Sequence, residues 1–271
     1  RFSRENLDLR DAKLVVTPDG RLMAAVGARL AEKEERQPMA WFSQDGEAWS
    51  GPRDIGERNI WMWDFETFGE WIYTFGYRVN AYRPTPPRKW YSRFLRLYRS
   101  KDGLAWEEVT DLDYGNEYVN EVGCDFADDG TMYAMMRSDS GPKKIRVGYA
   151  KPPYTHWSWT STGKRIGGPT LIAVNDKWLL GGGGTSVPGN TKVVLYWITP
   201  ETGQLDQAVI LPPTNECGYP GMFIDEDGII RTSYYSSPSG KRAIYVAQLE
   251  VSVRAEAQYA SANQLPPAPS A

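Results

Sequence analysis

A carboxylate, a phenol and guanidinium groups recur at fixed distances from tight turns. Glu121 lies nine residues before Gly130 and Arg137 seven after it; Tyr219 lies nine before Gly228, and Asp11 nine before Gly20. A tyrosine beside a carboxylate can act as a nucleophile, because the base takes the phenolic proton as attack proceeds. A second acid can protonate a leaving group. Arginine forks such as Arg10 and Arg137 can grip a substrate carboxylate through paired hydrogen bonds, and aromatic rings offer apolar faces to sugar C–H surfaces. Composition removes several other chemistries. His156 is the single histidine and Cys124 and Cys217 the two cysteines, which argues against His/Cys metal cages and disulfide scaffolds. A Ser-His-Asp triad would have to use His156, which sits in an aromatic-rich turn. With 31 Lys+Arg against 34 Asp+Glu there is no basic surplus to neutralise a nucleic-acid backbone. No apolar run approaches the roughly 18 residues of a membrane-spanning helix. Neither a metal nor an organic cofactor is expected.

The elements that must position these groups read as strands. Short alternating or β-branched and aromatic runs lie between glycines and prolines, and long stretches of helical period are missing. The runs pair into hairpins: Leu14–Pro18 with Leu22–Val26, Phe65–Thr67 with Trp71–Phe75, Cys124–Ala127 with Met132–Met136, Leu171–Val174 with Trp178–Leu180, and Met222–Ile224 with Ile229–Tyr234. Asp-Gly or Asn-Asp turns supply the positive φ that tight hairpins demand. A third strand follows each hairpin, as at Met39–Phe42 and Phe94–Tyr98. Turn residues Gly20, Gly69, Gly130, Lys177 and Gly228 recur about every 52 residues, near the period of a β-propeller with four short strands per blade. The reading is an all-β propeller over residues 1–253 with a flexible tail over 254–271. A β-sandwich with accidental spacing is the alternative.

Propeller geometry sends equivalent strand ends to one mouth. The position nine before each turn holds Asp11, Ile60, Glu121, Gly168 and Tyr219; seven after it come Gly27, Gly76, Arg137, Gly184 and Tyr235, with Arg29 and Arg78 two places further. Ile60 breaks the polar pattern and reads as a core side chain. The second turn has the least certain phase, so Asn59, Trp61, Trp63 and Asp64 are the neighbouring candidates. Bland roles stand beside these. Arg10 with Asp11, and Arg137 with Asp139, could be structural ion pairs; Gly181–Gly184 could serve tight packing, and both cysteines could be buried free thiols.

Two segments, Ser43–Trp49 and Ser100–Trp106, share the form S-x-D-G-x-x-W and follow the third strands of their units. They resemble the Asp-box, or bacterial neuraminidase repeat, of the sialidase-like β-propeller superfamily. The stretches from Asn120-Glu121 to Arg137 and from Gly218-Tyr219 to Asp227-Gly228 are similar to the parts of that family that carry its base, an arginine and its tyrosine nucleophile. The resemblance implies an exo-acting retaining glycosidase for acidic sugars. Tyr219 would attack, Glu121 would remove its proton, and Asp11 would act as acid then base, with Glu34 as an alternative acid. Arg10, Arg137, Arg29, Arg78, Trp61, Asp64 and Tyr235 would bind the substrate. It also implies an extracellular or periplasmic location. Departures are evident: the family's third-arginine slot reads Gly184, and its first-blade Arg-Ile-Pro motif is not found. Five units are visible where the family has six, so the chain is either a five-blade ring or lacks a blade before Arg1. A non-catalytic propeller binding glycans or proteins through the same mouth is the rival reading.

Overall fold

The computed structural model describes residues 5–30, 35–79, 94–113, 117–139, 144–175, 178–187, 190–213, 215–238 and 240–251. Glu34, Lys177 and the tail from residue 252 lie outside them. The described residues contain strands and turns and no helix. Nineteen strands make five antiparallel sheets, each a simple meander. Blade 1 is β1 (Leu7–Val16), β2 (Leu22–Leu30), β3 (Glu35–Ser43) and β4 (Trp49–Asp54); blade 2 is β5 (Ile60–Phe68), β6 (Trp71–Arg78), β7 (Phe94–Ser100) and β8 (Glu107–Asp113). Blade 3 is β9 (Val119–Phe126), β10 (Met132–Ser138), β11 (Arg146–Ala150) and β12 (Ser158–Ser161); blade 4 is β13 (Gly167–Asn175), β14 (Trp178–Val187), β15 (Asn190–Thr199) and β16 (Gln204–Leu211). Among the described residues blade 5 has three strands, β17 (Gly218–Ile224), β18 (Ile230–Ser236) and β19 (Ala243–Leu249). The protein is a five-blade β-propeller, as the repeat predicts.

Local chemistry sets the hairpins. Gly20, Gly130 and Gly228 take φ values of 82°, 80° and 75°, and preceding aspartates close the turns: Asp129 Oδ1 accepts from Thr131 N at 2.8 Å and Asp225 Oδ1 from Ile229 N at 2.9 Å. The two S-x-D-G-x-x-W segments form the same turn. Asp45 Oδ1 and Asp102 Oδ1 each accept two backbone N–H groups, and the Trp49 and Trp106 indoles donate to Gly46 O and Gly103 O at 2.9 and 3.1 Å. Blade 3 reproduces the last bond without the motif, since Trp157 Nε1 donates to Tyr154 O at 2.9 Å.

Apolar side chains fill four seams in series. Met23 and Phe42 of blade 1 meet Ile60 and Phe65 of blade 2; Phe75 and Leu97 meet Val122 and Met136. Met135 and Val147 meet Leu171 and Val194, and Leu180 and Leu195 meet Ile230 and Tyr234. The inner strands pack in the same order, β1 on β5, β5 on β9, β9 on β13 and β13 on β17. Among the described residues no packing of comparable extent joins β17 to β1. The outer face of blade 5 is instead open to solvent, with Phe223 61 % exposed, Ile244 73 % and Val246 72 %, whereas that of blade 1 leaves Leu14 69 % exposed but buries Ala24, Val26, Met39 and Trp41 in a cluster of its own.

Candidate active site

Every inner strand breaks register at the same depth. The shifts fall between Arg10 and Lys13, between Met62 and Phe65, opposite Arg137, between Gly167 and Thr170, and between Gly218 and Gly221. Each is a bulge, which re-aims the residues it contains. The aligned bulge residues are Asp11, Trp63, Glu121, Gly168 and Tyr219. Asp11, Gly168 and Tyr219 share left-handed φ values of 55°, 58° and 52°, a conformation that costs free energy in a residue carrying a Cβ and that recurs at functional sites. Four of these five match the phase read from the sequence. In blade 2 the expected Ile60 is displaced by Trp63, and Ile60 is core. The reason is the hairpin. Phe68 pairs with Trp71 across the two residues 69–70, whereas Val16 pairs with Leu22 across the five residues 17–21, so the phase advances by three. On the second strands, Gly27, Gly76, Gly184 and Tyr235 face Arg10, Met62, Gly167 and Gly218.

These bulges bring side chains from separate blades into contact. The Tyr219 hydroxyl donates to Glu121 Oε1 at 3.0 Å. Arg137 Nη1 and the Gly168 backbone N–H donate to Glu121 Oε2 at 2.7 and 2.9 Å. Glu121 is thus 7 % exposed and held by a phenol, a guanidinium and an amide. Arg137 Nε reaches Asp139 Oδ1 at 3.2 Å, and Asn120 Nδ2 reaches Asp139 Oδ2 at 2.7 Å. The phenol ring of Tyr219, 42 % exposed, stacks on Tyr235 at 6.1 Å and tilts against Trp63 at 5.7 Å. A Cβ at position 168 would lie 2.6 Å from that ring, so only glycine lets Tyr219 cross to Glu121.

The electrostatics follow from this crowding. Burial, and then the Glu121 charge, push the Asp11 carboxyl above its ordinary range, with Lys13 and the Trp61 indole opposing. Burial and Glu121 also push the Tyr219 phenol up. Burial works against the Arg137 cation, but Glu121 holds it firmly protonated. Tyr77 is the residue that sequence reasoning missed: burial, Glu121, Asp11 and Tyr219 together push its hydroxyl well up, so it belongs to the same cluster. It pairs with Trp61, one step past Gly76, and that adjacency was the available signal.

The other expected site residues are placed differently. Arg10 turns onto Asp8, with Nε and Nη2 at 2.8 and 2.7 Å. Arg29 pairs in register with Asp8, and Arg78 lies over the Phe94 ring at 5.2 Å. Trp61 is buried against Gly27, where a Cβ would come within 2.3 Å of its ring. Asp64 points below the mouth, accepting from Cys124 N at 3.3 Å. Near it lie Glu66 and Asp125, with Lys13 over the Trp63 ring at 4.9 Å. Asp125 Oδ2 accepts from Ala173 N at 2.8 Å. Asp64 and Asp125 thus satisfy backbone donors of the next inner strand. Gly182 and Gly183 serve backbone packing, since a Cβ would approach Val194 O at 2.0 Å and Gly167 O at 2.5 Å. Cys124 and Cys217 are free and buried. Among the described residues no His, Cys, Asp and Glu cluster has a metal-holding arrangement.

No family model and no curated protein matches the sequence. Solved structures do share the fold. A protein of unknown function from Dyadobacter fermentans aligns over 93 % of this chain and 97 % of its own at TM-score 0.53 and 14 % identity. An α-L-arabinofuranosidase from Fusarium graminearum, in complex with an iminosugar inhibitor, aligns over 92 % of this chain and 79 % of its own at TM-score 0.67 and 11 % identity. The α-L-arabinanase of Penicillium chrysogenum, complexed with arabinobiose, aligns over 88 % and 76 % at TM-score 0.63 and 10 % identity. At such identities the likeness is one of architecture.

Proposed function

We propose that the protein is a retaining, exo-acting glycoside hydrolase whose nucleophile is Tyr219. The observation that carries this reading is the 3.0 Å bond from the Tyr219 hydroxyl to a Glu121 carboxylate itself fixed by Arg137 and Gly168. The Tyr219 oxygen attacks the anomeric carbon while its proton passes to Glu121, and the bond to the leaving group breaks as Asp11 protonates the departing oxygen. Water then attacks the glycosyl-tyrosine, giving its proton to Asp11, and Tyr219 leaves with the proton returned by Glu121. A tyrosine nucleophile replaces the usual pair of carboxylates in one known group of glycosidases. Burial and the Glu121 charge raise the Asp11 pKa, which favours the protonated acid that the first step needs. Enzymes that share the fold act on glycosides by name, which supports a carbohydrate substrate.

Tyr219→Phe keeps the ring packing and removes the reacting oxygen. Turnover of 4-nitrophenyl glycosides should fall at least about a thousandfold with an unchanged far-UV spectrum; full activity in that variant sinks the mechanism. A second reading, glycan binding without turnover, is favoured by one observation, the glycine contributed by blade 4 to both ring positions. Saturable binding with no hydrolysis by the wild-type protein would select it.

A further inference from the structure

We propose that this mouth accepts an uncharged glycosyl group and selects against acidic sugars, an inference that rests on the carbohydrate reading of the site. A substrate carboxylate entering a desolvated pocket needs a cation free to meet it. Among the described residues the bulge ring offers one, Arg137, whose Nη1 and Nε already bond Glu121 at 2.7 Å and Asp139 at 3.2 Å, while Lys13 lies over the Trp63 ring at 4.9 Å and faces the Asp11, Asp64 and Glu66 carboxylates. Arg10 is committed to Asp8. Blade 4 leaves no room for another cation: a Cβ at Gly184 would already lie 3.2 Å from Cys217 O.

The charge count points the same way. Glu121 and Asp139 are two carboxylates against the single Arg137 guanidinium, and Asp11 is either neutral or a third negative charge. With Glu121 and Asp139 ionised, Arg137 leaves no positive surplus whether Asp11 is neutral or charged. Diverting Arg137 to a substrate carboxylate would strip Glu121 of its cation while it stays buried. A neutral sugar meets a better match. Its hydroxyls donate to acceptors already in place, Asp139 and Asp11, and its C–H face can lie on Tyr235 or the exposed part of Tyr219. The same field favours a ring bearing a positive charge, such as a protonated iminosugar.

Two measurements keep substrate charge and catalysis apart. Hydrolysis is compared for 4-nitrophenyl xyloside, arabinofuranoside and glucoside against 4-nitrophenyl glucuronide and sialoside. Binding of 1-deoxynojirimycin, and of glucose against glucuronic acid, is followed by tryptophan fluorescence, with Trp63 as the reporter beside Tyr219. We expect kcat/KM at least about 100-fold higher for the best neutral glycoside than for either acidic one, and tighter binding of the cationic ring than of the anionic one. Asp139→Asn, which removes one of the two negative charges paired with Arg137, should narrow the discrimination about tenfold. Preference for the acidic sugar in either assay overturns the proposal, and so does binding of no sugar at all. Neutral-selective binding without any turnover sustains the charge inference while sinking the hydrolase reading.

Discussion

Glu121 and Asp125 lie on one strand and show two opposite uses of a buried carboxylate. Glu121 is matched by a cation and two further donors, whereas Asp125 has only backbone N–H groups to meet its charge. Burial pushes the Asp125 pKa up to about 6; the Ala173 and Phe126 amides oppose the rise and the Asp64 charge adds to it. The folded protein therefore holds a proton that the unfolded chain releases nearer pH 4. Stability from this group is fully present below that value and is lost as pH rises through about 6. Asp125→Asn keeps an oxygen for Ala173 N and removes the titration. Urea unfolding should show the wild type losing on the order of 2 kcal/mol more than the variant between pH 4.5 and 7.5. Parallel pH profiles for the two proteins would show that Asp125 is not the group responsible.

At the scale of elements, the Asp-Gly hairpins made most of the fold legible, because a turn whose backbone demands positive φ announces both its place and the strands beside it. That phase carried Asp11, Glu121 and Tyr219 to one ring, with Gly168 and Arg137 alongside. It slipped in blade 2, where a two-residue hairpin lacking Asp-Gly shifted the count, so that Trp63 was one of four candidates beside a core Ile60 and not the residue at the phase. Side-chain direction was not legible either, which is why Arg10 was expected over the mouth and lies on Asp8, and why Tyr77 went unnoticed. The S-x-D-G-x-x-W turns show how one motif acquires different weights from its surroundings. Gly103 of the second copy seats against Met23, where a Cβ would lie 2.5 Å from the sulfur, and Asp102 O takes Arg21 Nη2 at 3.1 Å, so this turn ties blade 2 to blade 1. Trp106 adds an edge contact to Phe65 at 5.7 Å. Asp102→Ala strands the Leu104 and Ala105 amides and should cost about 2 kcal/mol. Asp45→Ala breaks the same local bonds in the copy whose turn glycine packs on Leu22 of its own blade and should cost clearly less in the same denaturant titration. Equal losses would mean the motif acts only within its own turn.

For the whole molecule, stability is shared through seams between neighbouring sheets, as in other repeat architectures where each unit leans on the next. Blades 2, 3 and 4 share apolar seams on both faces, blade 1 has a seam on one face and a small cluster of its own on the other, and blade 5 has a seam on one face only. Among the described residues blade 5 also has only three strands, with β19 as an edge. The two faces of that blade should then respond oppositely to truncation. Ile230 is buried in the seam with blade 4, and Ile230→Ala should cost about 2–4 kcal/mol. Val246, 72 % exposed on the other face, should tolerate alanine within about 0.5 kcal/mol. Local opening follows the same asymmetry, because segments with less buried apolar surface open at lower free energy. Amide hydrogen exchange should therefore release β18 and β19 before β9 and β10, although all four are antiparallel strands of similar length. If their protection is equal, the five blades unfold as a single cooperative unit, and the uncovered faces carry no energetic consequence for the ring that positions Glu121 and Tyr219.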